Sequence, residues 1–265
     1  MIVYKSDAEI EAIRRSSQIV AQVLAELAPM IKPGARTRDL DAFAEARARD
    51  FHAVPAFKGY RGYRASLCTS VNEEIVHGIP SSRELKEGDI ISLDFGVAFE
   101  NYYGDAAVTI PVGQVSAEAL RLIGAAERSF FKGIEKMKDG NRLSDVSAAI
   151  QASVESEGFS VIRQFVGHGI GHALHEEPQV PNFGLPGHGP RMRPGLVLAI
   201  EPMIAAGDWN AEVLGDGWTA VTKDQSLAAH YEHTVALTSR GVEVLSLWDG
   251  GADGARTQGK EGTHA

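Results

Sequence analysis

The sequence predicts an α+β fold made of two similar halves, and three observations carry that prediction. Runs with apolar residues at helical spacing are followed by alternating, strand-like runs, and this order occurs twice along the chain. The junction Lys32-Pro33-Gly34-Ala35-Arg36-Thr37-Arg38-Asp39 is matched 106 positions later by Lys138-Asp139-Gly140-Asn141-Arg142-Leu143-Ser144-Asp145, both in the pattern K-x-G-x-R-x-x-D. At 265 residues and 44% hydrophobic, the chain can bury a large core without staples.

The elements follow in order. Ser6-Asp7-Ala8-Glu9 has the form of a capping box, and behind it Ile10, Ile13, Val20, Val23, Leu24, Leu27 and Ile31 recur at helical spacing until Pro33-Gly34. Thr37 is expected to cap a second helix, carrying Leu40 and Phe43 and ending about Asp50. Short strands are expected at 53–57 and 66–71, then two long alternating runs, 89–99 and 101–112, that read as a hairpin. The second half begins with a long helix from Ser116, with Leu120, Ile123, Phe130, Ile134 and Met137 on one face. Ser144 is expected to cap a shorter helix with Val146, Ile150 and Val154, and strand-like stretches follow at 161–166, 196–204, 218–221 and 231–237. The halves divide at about 1–113 and 114–248, within one domain spanning 1–248. Residues 249–265 are rich in Gly and charge and lack aromatics, so a disordered tail is expected there.

Composition excludes several classes. With 26 Lys+Arg against 35 Asp+Glu, the net charge of −9 argues against direct nucleic-acid binding. The cluster Lys58, Arg61 and Arg64 reads as solvated loop charge. A lone cysteine, Cys68, excludes a disulfide framework or a four-cysteine zinc module. The N-terminal residues do not read as a secretory signal, and no apolar run approaches the roughly 18 residues of a membrane span. A cytoplasmic protein is expected.

Three features carry chemistry. Asp94 and Asp105 sit in apolar stretches of the two hairpin strands. If the turn centres on Phe99-Glu100, they face one another at about 5 Å between Cβ atoms, where two carboxylates repel unless a proton or a cation intervenes. An exposed acidic pair at a solvated edge is the alternative. The second feature is Gly167-His168-Gly169-Ile170-Gly171-His172-Ala173-Leu174-His175, in which His168 and His175 are the better metal-site candidates and His172 reads as a surface residue. The third is a pair of glutamates in apolar strands, Glu201 and Glu232. Each would need a partner if buried: an arginine, or a metal shared with the aspartates. Four carboxylates match two divalent cations in charge, and with one imidazole such a set suits Mn, Fe or Co, with Zn also possible.

The segments SLDFG around Asp94, YYGDAAVT around Asp105, VGHGIGHALHEEP around His168, AIEPM around Glu201 and HYEHTV around Glu232, in this order, resemble the methionine aminopeptidases. The resemblance runs from about residue 5 to 247 and is to the type I, bacterial branch. The second half has no room for the long insertion of type II enzymes, and the fold starts without the N-terminal domain of creatinase and prolidase relatives. It implies the pita-bread fold, a central curved antiparallel sheet with helices on its outer face. It also implies two divalent cations (Co, Mn, Fe or Zn), with Asp94 on one, His168 and Glu201 on the other, and Asp105 and Glu232 bridging. Glu201 would act as general base, while His77, in IVHGIP, and His175 would contact substrate and the tetrahedral intermediate. A thioether-sized pocket would be lined by Tyr60, Tyr63, Cys68, His77 and Trp218. Phe57, where a cysteine is common, and Leu174, where phenylalanine is common, depart from the family pattern in the pocket. The implied activity is removal of the N-terminal Met from nascent chains with a small second residue. Nascent N-termini are the implied partner, with contact to the ribosome left open, and the expected enzyme is monomeric and off the membrane. An X-Pro aminopeptidase or prolidase-like hydrolase, and a non-catalytic binding module of the same fold, are the competing readings.

Overall fold

Ser6 opens the first helix as predicted. Its hydroxyl accepts from the Glu9 N–H at 3.4 Å, and the Glu9 carboxylate accepts from the Ser6 N–H at 2.8 Å. The computed structural model describes residues 1–247, so the tail expected at 249–265 lies outside the described residues. Helix α1 (Asp7–Leu27) leads through a single 3₁₀ turn into α2 (Thr37–Asp50). Strands β1 (Val54–Pro55), β2 (Leu67–Val71), β3 (Glu74–Val76), β4 (Ile90–Phe99) and β5 (Tyr102–Pro111) complete the first half. The second half starts with α3 (Ala117–Ile134) and α4 (Leu143–Ser156). It continues through β6 (Ser160–Val161), β7 (Gly167–Gly169), β8 (Glu176–Val180), β9 (Val197–Ile200) and β10 (Met203–Ala205). It ends with β11 (Ala211–Val213), β12 (Ala220–Thr222), β13 (Ala228–His230), β14 (Glu232–Thr238) and β15 (Gly241–Val244).

Nine of these strands form one antiparallel sheet, ordered β1-β4-β5-β14-β9-β7-β8, with β2 on β4 and β15 on β14. Each half packs its own helix pair on this sheet. Val20, Leu24 and Leu27 of α1 and Leu40 of α2 meet Leu93, Phe95 and Ala106. Leu122 and Phe130 of α3 and Ile150 of α4 meet Leu198, Ile200 and Val235. The buried face of α3 is not quite the predicted one. Ala119, Leu122, Ala126 and Phe130 are inward, whereas Leu120 is 55% exposed, because the 3–4 residue stripe passes one position away from it.

The duplication is visible bond by bond. The Gly34 N–H donates to Leu85 O at 2.8 Å, and the Gly140 N–H donates to Met192 O at 2.9 Å. Leu85 and Met192 return the bond to Ala35 O and Asn141 O, both at 2.8 Å. The shared glycine is required for backbone reasons: Gly34 and Gly140 have φ of 86° and 87°. The same correspondence corrects two predicted caps. Arg36 and Arg142 occupy the N-cap positions, so Thr37 and Ser144 lie inside the first turn. Their hydroxyls accept instead from neighbouring segments, Thr37 from the Ser81 N–H and Ser144 from the His188 N–H, at 2.8 and 2.7 Å. These polar side chains tie each helix start to the strand-side loop of its own half.

A second pseudo-symmetric feature joins the halves where β5 meets β14. Asp105 N–H donates to the Thr234 hydroxyl, which donates to Asp105 O; His230 N–H donates likewise to Thr109, which donates to His230 O. The helix layer lies close to the sheet. A Cβ at Gly104 would fall 2.5 Å from Ser17 N, against helix backbone that cannot yield. Gly104→Ala is therefore expected to destabilise the fold by about 1–3 kcal/mol, read as a lower urea midpoint with an unchanged slope.

Candidate active site

The hairpin sets the site. Glu100 and Asn101 have φ of 49° and 68°, a two-residue turn of the left-handed kind that suits strand twist, closed by Phe99 opposite Tyr102. The turn centre is thus one residue later than Phe99-Glu100, and the pairing shifts by two. Asp94 stands opposite Ala107 and Asp105 opposite Gly96. The expected direct Asp94–Asp105 pair is corrected to a diagonal one. Because the shift is even, both carboxylates keep the same face of the sheet.

That face gathers the rest. Ala107 is paired across the seam with Glu232, and Ile200 with His233, so Glu201 stands just past the end of β9 beside Glu232. His168 on β7 pairs with Ala199. It can sit there because its flanking glycines admit close approach: a Cβ at Gly167 would lie 2.4 Å from Ala199 O, and one at Gly169 would lie 2.3 Å from Glu177 O. His168 Nδ1 is 2.9 Å from Gly169 O, a partner that can only accept, so Nδ1 carries the proton. Nε2 is left as a lone pair 3.5 Å from Glu201 Oε1.

Electrostatically the site is starved of positive charge. Burial pushes the Asp94 carboxyl up to about 7. Burial, then the charges of Glu232 and Asp94, holds Asp105 well above the ordinary carboxylate range. Glu201 and Glu232 are raised by burial and by neighbouring carboxylates. Among the described residues none of the four is paired with Lys or Arg, which removes the salt-bridge alternative for the glutamates. Asp94 Oδ1, Asp105 Oδ1 and Glu232 Oε1 are buried without hydrogen-bond partners. Burial also lowers His168 to about 4, keeping it a neutral nitrogen donor. Ligand atoms of Asp105, His168 and Glu232 lie within 4.8 Å of one another, as do those of Asp94, His230 and Glu232. Orphaned anionic oxygens plus a free imidazole lone pair fit divalent cations.

The four carboxylates line a cavity of about 160 Å³. All the sequence-predicted pocket residues line it: Tyr60, Tyr63, Cys68, His77, His175 and Trp218, with Phe57 and Leu174. Cys68 stands opposite Asp94 in the β2–β4 register, and its thiol is raised first by burial. Tyr63 packs edge-on against Trp218 at 5.0 Å and donates its hydroxyl to Gly78 O at 3.0 Å. The loop carrying it is anchored by Asp41, which accepts from the Ser66 and Leu67 N–H groups at 2.8 and 2.9 Å. His77 is held at φ 61° between Phe165 and Trp218. A non-glycine residue in the left-handed region at a cavity wall marks a constrained position. His175 stacks on Tyr60 at 5.1 Å and meets the His168 ring at 4.2 Å with the two planes tilted by 43°. His172 is exposed, as expected.

Two residues at the site escaped the sequence reading. Arg61, which reads from the sequence as solvated loop charge, lines the cavity with its guanidinium 5.4 Å from the centre of the Tyr60 ring. His230 lies beside Glu201 and Glu232. Its sequence signal is its place two residues before Glu232, which in an unbroken strand would give both one face, although the strand breaks at Tyr231 between β13 and β14.

A dry, carboxylate-rich centre with one imidazole donor, set beside a side-chain-sized pocket on a duplicated antiparallel sheet, is the arrangement of a metallopeptidase. Residues 11–239 match metallopeptidase family M24, and the chain belongs to that family. It is 52% identical over 248 residues to the methionine aminopeptidase of Clostridium acetobutylicum, covering 93% of this chain and 99% of that one. The crystal structure of methionine aminopeptidase from Thermotoga maritima superposes with a TM-score of 0.92 at 46% identity, covering 94% of this chain and 100% of that chain. A prolidase from Pyrococcus horikoshii shares the fold alone, with a TM-score of 0.76 at 21% identity, over 93% of this chain and 64% of that one. The pita-bread architecture implied by the sequence motifs is thus the observed one. No helix among the described residues is long and apolar enough to cross a membrane.

Proposed function

We propose that the protein removes the N-terminal methionine from nascent polypeptides whose second residue is small, by hydrolysis of the first peptide bond with two divalent cations. The observation that carries this reading is the pocket. Tyr63, Cys68 and Trp218 offer soft and aromatic surface, suited to a thioether, immediately beside the four carboxylates. Similarity to named methionine aminopeptidases over nearly the whole chain supports it. Asp94 would hold one cation, His168 and Glu201 the other, with Asp105 and Glu232 shared between them. When bound, the cations lower the pKa of a water and polarise the scissile carbonyl. Glu201 takes the proton from the attacking water and passes it towards the leaving amine. His77, neutral because burial lowers it, and the more exposed His175 donate hydrogen bonds to the substrate backbone and the developing oxyanion. Mn, Fe, Co and Zn all suit this donor set.

Residues 1–248 act as one catalytic domain in this reading, as a monomer in the cytoplasm, meeting its substrate as the chain emerges from the ribosome. The test is a release assay on chelator-stripped protein with Met-Ala-Ser, Met-Lys-Ser and an X-Pro peptide, each with Mn, Fe, Co or Zn restored. Cation-dependent release of Met from Met-Ala-Ser alone is expected. Cleavage of the X-Pro peptide instead, or no release with any cation, overturns the reading. Trp218→Ala opens the pocket wall. It is expected to lower kcat/KM on Met-Ala-Ser at least tenfold, with most of the change in KM, as measured by steady-state kinetics.

A further inference from the structure

Among the described residues, His230 is the one buried side chain at the carboxylate centre to which neither the fold nor the proposed reaction gives a task. Its side chain is 2% exposed, and both ring nitrogens are without a hydrogen-bond partner. A neutral imidazole carries one donor and one acceptor, so both polar atoms are unsatisfied where water does not reach. His168 differs: its Nδ1 is committed to Gly169 O, which aims Nε2 at the carboxylates. His230 Nε2 lies 3.8 Å from Glu201 Oε2 and 3.7 Å from Glu232 Oε2. Glu201 is therefore spanned, with His168 on Oε1 and His230 on Oε2. Position in the fold points the same way. The Thr109 hydroxyl holds the backbone of His230 as the Thr234 hydroxyl holds that of Asp105, so His230 occupies the place in the second half that Asp105, a site carboxylate, occupies in the first.

We infer that His230 is a positioning residue of the metal centre, donating Nε2–H to the outer oxygens of Glu201 and Glu232 and fixing how they present their other oxygens to cations. The inference rests on the two-cation reading above. Both distances exceed a hydrogen bond, and closing them requires the glutamates to turn by less than 1 Å, roughly the difference from a normal 2.9 Å contact. Groups that orient ligating side chains in this way set the affinity of a site without touching the ion. Because ligand atoms of Asp94, His230 and Glu232 also fall within 4.8 Å of one another, direct ligation by His230 is the outcome the experiment must separate.

The test titrates Mn into the chelator-stripped full chain by calorimetry, for wild type, H230Q and H230L, and records visible absorption with saturating Co. H230Q retains an N–H donor of similar reach and is expected to bind within about threefold of wild type. H230L is expected to weaken binding about 10–100-fold, with the same number of cations at saturation and the same cobalt spectrum. Should H230L fail to fold, as judged by circular dichroism, H230N takes its place: its shorter amide is expected to bind at least tenfold more weakly than H230Q. Equal affinities across the folded variants overturn the inference. So does loss of one cation together with an altered cobalt spectrum in H230Q, which would make His230 a ligand. If the wild type takes up no cation, the two-cation reading falls and carries this inference with it. Wild-type binding with unchanged variants removes the inference alone.

Discussion

Glu201→Gln is expected to reduce kcat on Met-Ala-Ser by about 10²–10⁴-fold at saturating Mn, the range for removal of a positioned general base. The substitution preserves volume and the Oε1 position facing His168 at 3.5 Å, but the amide cannot take a proton at neutral pH. Burial and neighbouring carboxylates raise Glu201 above the ordinary carboxylate range, which makes it a stronger base than a surface glutamate and enlarges what is lost. The pocket walls are separate residues, Tyr63, Cys68 and Trp218, so KM is expected to move by no more than a few fold. In the proposed two-cation site the substitution would also remove one anionic ligand and weaken cation binding, hence the need to raise Mn until the rate plateaus. A plateau kcat within threefold of wild type would show that Glu201 is not the base. The opposite pattern, KM raised with kcat intact, would place it in substrate binding.

What the sequence disclosed about this site follows from a physical rule. Asp94, Asp105, Glu201 and Glu232 stand out because each interrupts an apolar strand, where an unpaired charge is too costly to be incidental. All four lie on one face, with His168 beside them. The register of the hairpin was less legible. Glu100-Asn101 lacks the glycine that usually announces a tight left-handed turn, so the residue pattern alone centres the turn one residue early. Thr37 and Ser144 look like helix caps locally, and only the folded chain brings Ser81 and His188 within reach of their hydroxyls. His230 was obscured by its neighbours: a histidine in a strand reads as core until the carboxylates beside it are placed. The duplication, inferred from four matching residue types, was sounder than so short a pattern suggests, because those residues build the same backbone bonds in both halves.

Stripped of divalent cations, the protein is expected to lose stability as pH rises from about 6.5 to 8.5, and cations are expected to abolish that loss. Two sets of buried groups oppose one another. His168 is lowered to about 4, and His230 and His233 to about 3, all by burial. In the unfolded chain they would take up protons near 6.5, so below that pH the unfolded state binds more protons and stability rises with pH. Above about 6.5 this contribution weakens, and it is flat by about 7.5, where the unfolded imidazoles have lost their protons too. The carboxylates act in the other direction. An unfolded carboxylate has lost its proton by pH 5, whereas native Asp94 keeps its proton to about 7 and Asp105, Glu201 and Glu232 are held above their ordinary values. Across this window the native state binds more protons, and stability falls with pH. Each retained proton costs about 1.4 kcal/mol per pH unit. One proton held over two units therefore lowers Tm by roughly 5–10 °C in a chain of this size, and more protons lower it further. In the proposed site divalent cations would replace the protons and supply the missing positive charge, so with saturating Mn the decline should vanish and the two Tm curves should separate as pH increases. Thermal unfolding at pH 6.5, 7.5 and 8.5, with chelator or with Mn, measures both curves. A flat or rising Tm for the stripped protein over that range would mean that the four carboxylates are neither as buried nor as mutually exposed as the sheet register places them.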